Sequence, residues 1–169
     1  PDKRVRQQHL EDAIKMVYAS TFLEDARMYV ERIQYRTEEE KMAVVVQKMI
    51  GQAYGDYFYP SIAGVAQSYN FYPIAHLNAE DGIAHLALGL GKTVVEGSTA
   101  LRFSPKHPQF LPQFSTVDNI LENAQRFFYA LNLSGFPDNI ISMDDATLEK
   151  LEVDDFSDHA PIRYLASTY

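Results

Sequence analysis

The feature that most constrains this chain is a change of period near residue 37. Before it, Leu10, Ile14, Val17 and Tyr18, then Phe22, Ala26, Tyr29, Val30 and Ile33, recur at helical spacing. After it comes "MAVVVQKMI", whose consecutive β-branched residues favour a buried strand, placed here at about Met42 to Ile50. "SIAGVAQSYN" and "GIAHLAL" read as further strands, and "TALRFSP" as a shorter one. A chain that opens on helices and turns to strands is α+β, with a mixed or antiparallel sheet and flanking helices.

Local signals refine that frame. Thr21 and Glu24, and again Thr37 and Glu40, stand at the capping-box spacing. "GQAYGDYFYP", Gly51 to Pro60, reads as a glycine- and tyrosine-rich connection. Val117, Ile120, Leu121, Ala124, Phe127, Phe128 and Leu131 predict the clearest amphipathic helix, capped by Ser115 or Thr116, with its apolar face against the sheet. The acidic tail "MDDATLEKLEVDDFSDH" predicts one short helix after Asp144. These signals divide one domain into a helical lead-in (1–36), a strand-rich core (37–105) and a helix with an acidic tail (106–169).

Composition excludes several functions. The 169 residues, 46% of them hydrophobic, suit a packed domain. A formal charge of -8 opposes wholesale attraction to nucleic acid or an anionic membrane. Without cysteine there is no thiol nucleophile and no cysteine-ligated zinc, and the cytoplasm is the default compartment. No apolar run reaches the roughly 20 residues of a membrane span. A start on Pro1 and an end at "RYLASTY" read as a piece of a longer protein.

Candidate chemistry is sparse. "GLGKT" imitates a P-loop, but that motif needs a glycine five positions before its Gly-Lys pair, where this chain has Leu86. His9, His76, His85, His107 and His159 lack a metal-site spacing, Asp144, Asp145, Asp154 and Asp155 resemble ligands only by number, and no metal site is assigned. Tyr54, Tyr57, Phe58, Tyr59, Tyr69, Phe71 and Tyr72 form either a stacking platform for a base or rings that cover the sheet or meet another domain; the acidic balance favours the second.

Four segments in order, "VYAST" (17–21), "MAVVVQKMIG" (42–51), "SIAGVAQSYN" (61–70) and "LALGLGKTVVEG" (86–97), carry a resemblance. Together they resemble the nucleotide-binding domain of phosphoenolpyruvate synthase and pyruvate phosphate dikinase, the ATP-grasp part that precedes a swivelling phosphohistidine domain. "GLGKTVVEG" is similar to that family's Gly-Leu-Gly-Glu-x-Val-Val-x-Gly, with Lys92 in place of Glu. His85 stands where a Glu is common, and Ala63, Gln67 and Ser68 depart from Ser-Gly-Val-x-Phe-Thr.

The resemblance implies an ATP-grasp-like fold that binds ATP with Mg2+, in a protein passing phosphate through a phosphohistidine domain of the same chain to pyruvate or a related acceptor. Gln47, Lys48 and Met49 match its Val-Gln-x-Met strand at the adenine, and Lys92 and Arg102 are the candidate phosphate contacts. No catalytic residue is assigned. The family's metal-binding Asp-x-Glu is matched only loosely by "VDDF" (153–156), and no Gln-x-Arg follows, so this piece alone is expected to be inactive. The alternative is a non-catalytic scaffold or interaction domain derived from the same fold.

Overall fold

The computed structural model describes residues 2–32, 43–97, 99–134, 147–159 and 161–166. The chain forms two compact units, 1–49 with 136–146 and 50–135 with 147–169.

The first unit carries α1 (Lys3–Ser20) and α2 (Glu24–Arg32). Polar pairs one turn apart support α1: Gln7 donates to Glu11 at 3.0 Å, Gln8 to Asp12 at 3.0 Å, and Lys15 pairs with Asp12 at 3.0 Å. The capping box at Thr21 and Glu24 is not formed. Thr21 keeps a helical backbone as the C-cap of α1, and its hydroxyl has no hydrogen-bond partner among the described residues. The second candidate box, at Thr37 and Glu40, lies outside the described residues.

The strand expected at Met42 to Ile50 is also corrected. Residues 43–50 belong to no strand, and Val45 is 77% exposed. β-branched residues favour extended backbone, but a strand also needs a ladder partner, and no described strand pairs with this segment.

The second unit holds two antiparallel sheets. Gly51 to Pro60, read as a connection, is in fact a hairpin of β1 (Gln52–Tyr54) and β2 (Tyr57–Tyr59). Gly55 and Asp56 form its two-residue loop. Gly55 takes φ 59° while Asp56 stays at negative φ, the pattern of a loop with glycine at its first position. β2 pairs with β6 (Phe127–Asn132), and β6 with β7 (Leu148–Glu152). The expected helix through Leu131 therefore stops early: α4 spans Val117–Asn123, and Phe127–Phe128–Tyr129 are strand. Bulky aromatics fit a pleated surface flanked by two partners better than a helix. Thr116 does cap α4, accepting from the Asn119 amide at 3.2 Å, but α4 buries no residue. The helix expected after Asp144 is replaced, over its described part, by β7.

The second sheet, β3 (Ile62–Gln67), β4 (Ile83–Leu88) and β5 (Leu101–Phe103), follows the sequence reading. α3 (Lys92–Val95) follows β4 across the glycine turn, and α5 (Ile162–Leu165) comes after β7. Tyr59, Leu90, Phe128, Ala130, Val153 and Ile162 make the core. The Tyr59 and Phe128 rings lie 5.1 Å apart, and Phe128 and Phe156 5.4 Å apart.

A backbone bond and a side-chain amide tie the sheets together. Leu90 donates to the Tyr129 carbonyl at 2.9 Å. The Gln125 amide accepts from the Leu88 N–H at 2.8 Å and donates to the Leu88 carbonyl at 3.1 Å, taking the place of a strand neighbour at the end of β4.

Candidate functional site

One face of the three-stranded sheet forms the floor of an open cleft. In the antiparallel register Val65, His85 and Arg102 stand side by side, and Gln67 pairs with Ile83. Paired residues share a face, so period-2 alternation along β4 puts His85 and Ile83 on this side and the buried Ala84 on the other. The 70–77 segment, with Asn70, Phe71 and Tyr72, forms one wall, and Phe110 and Gln113 form another. The cavity measures about 330 Å³, at the lower end of the range for small-molecule sites.

Each wall has an identifiable hold. Asn70 is buried, donates its N–H to the Ala79 carbonyl at 2.7 Å, and accepts from the Tyr72 amide at 3.0 Å through its side chain. This local bond turns the chain and leaves Tyr72 87% exposed at the rim. Ala75 takes φ 54°, a conformation uncommon outside glycine. On the other side Gln113 accepts from the Arg102 N–H at 2.8 Å and donates to the Ala100 carbonyl at 3.2 Å, pinning the outer edge of β5.

Below the floor, Asp81 is the main polar anchor. Its carboxylate accepts from Lys106 at 2.7 Å and from the Asn78 amide at 2.8 Å, with His107 at 3.6 Å. The Lys106 hydrogen bond, then the Asn78 amide, hold the Asp81 carboxyl below its usual range. Ser104 donates to the Asp81 carbonyl at 3.0 Å and joins β5 to the turn before β4. The rings of His76 and Phe110 meet at 4.6 Å, and those of His76 and His107 at 6.0 Å.

His85 loses proton affinity chiefly through burial and secondarily through the adjacent Arg102 charge, so it is neutral at neutral pH. Arg102 is exposed and has no carboxylate partner among the described residues. The floor thus presents, among the described residues, a guanidinium without a carboxylate partner beside a neutral imidazole, under an aromatic rim. That chemistry suits an anion attached to a flat ring.

The other candidate residues lie elsewhere. Gln47, Lys48 and Met49 are exposed in the first unit, outside any strand. Lys92 opens α3, 3.5 Å from Glu96 and 5.1 Å from the centre of the Tyr129 ring. The glycine turn before it is not a phosphate nest. Gly89, at φ 75°, lies so close to β6 that a Cβ would sit 2.8 Å from the Tyr129 carbonyl, and Leu90 enters the core. Asp154 and Asp155 are exposed, while Asp144 and Asp145 fall outside the described residues. Among the described residues no three His, Asp or Glu side chains gather to hold a metal.

The family profile for the pyruvate phosphate dikinase AMP/ATP-binding domain matches residues 4–152. The chain belongs to this family. Membership in the pyruvate phosphate dikinase AMP/ATP-binding domain family identifies the α+β, ATP-grasp-like fold and accounts for the two antiparallel sheets. No curated protein and no solved structure shows a significant match. Among the described residues no helix is long and apolar enough to cross a membrane.

Sequence reasoning singled out Arg102 but not the residues around it in the cleft, Asn70 and Gln113. The Asn in "SYNFYP", with proline shortly after it, is a turn signal that marks the first. Gln113 carries no local signal, because its partners lie more than ten positions away in sequence.

Proposed function

We propose that the chain is a single α+β nucleotide-binding domain within a longer, cytoplasmic, ATP-dependent phosphotransferase that resembles phosphoenolpyruvate synthase. The intact protein transfers phosphate from ATP to a histidine on a mobile domain of the same chain, and from there to pyruvate. The observation that carries this reading is the family match over residues 4–152. The Arg102 cleft supports it, because a cation without a carboxylate partner among the described residues, beneath an aromatic rim, fits a nucleotide's two kinds of surface.

In this reading Arg102 attracts and orients phosphate, and the neutral His85 beside it donates or accepts a hydrogen bond without adding charge. Lys92 adds positive charge, attenuated by Glu96. Gln47 to Met49 offer backbone groups and the Gln47 amide to an adenine edge. When bound, ATP supplies the phosphoryl group; the protein supplies positioning and charge neutralisation, which provide most of the catalysis in such transfers. The reaction takes Mg2+, yet the described residues do not fit a metal site, so no step is assigned to the ion here.

The test uses the full-length parent. Supplied with Mg-ATP and pyruvate, it should form an acid-labile phosphohistidine and release phosphoenolpyruvate. Formation of neither, with the protein folded, contradicts the assignment.

A further inference from the structure

A second cavity, of about 330 Å³, lies where α3, α4, β6 and β7 meet. Its lining includes Thr93 from α3, Glu122 from α4, Arg126, Phe127 and Tyr129 from β6 and its approach, and Lys150 from β7. Thr93 is the unusual member. It is 2% exposed, and its hydroxyl has no hydrogen-bond partner among the described residues. A buried hydroxyl is ordinarily satisfied, and leaving it unpaired is destabilising.

The surrounding charges indicate what kind of partner suits that hydroxyl. Neither Arg126 nor Lys150 has a carboxylate partner among the described residues; the Lys150 ammonium instead lies 4.6 Å from the centre of the Phe127 ring. Two cations against the single carboxylate of Glu122 leave the lining positive in a protein whose formal charge is -8. The lining also includes the rings of Phe127 and Tyr129. The Tyr129 ring is held in place, since its hydroxyl donates to Glu96 at 2.9 Å.

We propose that this cavity is a ligand site for a small phosphomonoester carrying an apolar or aromatic body. Arg126 and Lys150 neutralise the phosphate, which carries about 1.5 to 2 negative charges at neutral pH. The Thr93 hydroxyl donates to one of its oxygens, and the organic part lies on Phe127 and Tyr129. The site is separate from the Arg102 cleft and goes beyond the nucleotide reading: nothing in it depends on ATP.

Calorimetric titration of the chain with phenyl phosphate tests this, with circular dichroism confirming that each variant folds. Saturable binding is expected. Arg126→Gln with Lys150→Gln should weaken it by at least about tenfold, as the loss of charge-assisted bonds does. Thr93→Val, close to isosteric, should weaken it about threefold or more through the lost hydroxyl. Inorganic phosphate should bind more weakly than phenyl phosphate, and the same substitutions made in an Arg102→Gln background, which removes the cation of the other cleft, should weaken the remaining binding by the same factors.

Four results would overturn the proposal. They are no binding to the folded chain, affinity unchanged by the double substitution, Thr93→Val raising stability without changing affinity, and no phenyl phosphate site remaining in the Arg102→Gln background. A chain that binds phenyl phosphate but not ATP would contradict the nucleotide reading and leave this one standing.

Discussion

The two sheets of the second unit are held by different physics. The four-stranded sheet is organised by aromatic packing: Tyr59 and Phe128 are almost wholly buried and stack on each other and on Tyr54 and Phe156. The three-stranded sheet contributes only small residues, Ala84 and Ala87, to the buried interior, and its turns are fixed by polar ties through Asp81, Asn70 and Gln113. One sheet supplies stability. The other leaves a face open, and that is where the candidate cleft forms.

The largest predicted difference comes from truncating one residue in each. Phe128→Ala in the four-stranded sheet should cost about 3–5 kcal/mol in urea unfolding, since Phe128 is 0% exposed. Val65→Ala in β3 should cost about 0.5 kcal/mol, the scale of a surface substitution. Equal costs would break the contrast.

The glycines sharpen it. At Gly89 a side chain meets both positive φ and the β6 backbone, so Gly89→Ala should cost at least about 2 kcal/mol. Gly55 has positive φ but open space around it, so Gly55→Ala should cost about 1 kcal/mol. The difference between the two measures how tightly the glycine turn is pressed against the aromatic sheet.

This division explains what was legible in the sequence. β3, β4 and β5 follow one another along the chain and pair with sequential neighbours, so local pattern suffices. β6 was hidden because Val117 to Leu131 keeps a helical period past the point where the chain becomes a strand. Its strand character comes from β2, about seventy residues earlier, and from β7. β7 was hidden for a related reason: Leu148 and Leu151 stand three apart in an acidic tail, which reads as helix until the pairing with β6 is known. The β1–β2 hairpin had a usable signal in Gly55-Asp56 between tyrosines. The segment 43–50 shows the converse, strong strand propensity without a partner strand among the described residues. Of the candidate site, Arg102 and the histidine opposite it were visible as residues, while the walls that make a cleft around them were not.

The smallest effect concerns pH. Because the folded state holds the Asp81 carboxyl below its ordinary value of 3.8, its stabilising contribution is complete above that value. It is lost as pH falls below 3.8 through the folded-state value. Stability measured by urea unfolding should therefore decline over that acid range, and Asp81→Asn should flatten the decline. A variant with an unchanged acid profile would show that the polar ties do not contribute as described.

The central claim is that this chain is a nucleotide-binding domain whose open sheet face takes part in binding. Calorimetric titration with Mg-ATP tests it most directly, comparing the natural chain with Arg102→Gln and Gln47→Ala. Saturable binding that weakens by about tenfold in Arg102→Gln, as expected for loss of one charge-assisted contact, is the predicted result. A weaker effect of Gln47→Ala would add the adenine contact. Binding unaffected by Arg102→Gln, or no binding by the folded chain, would contradict the account.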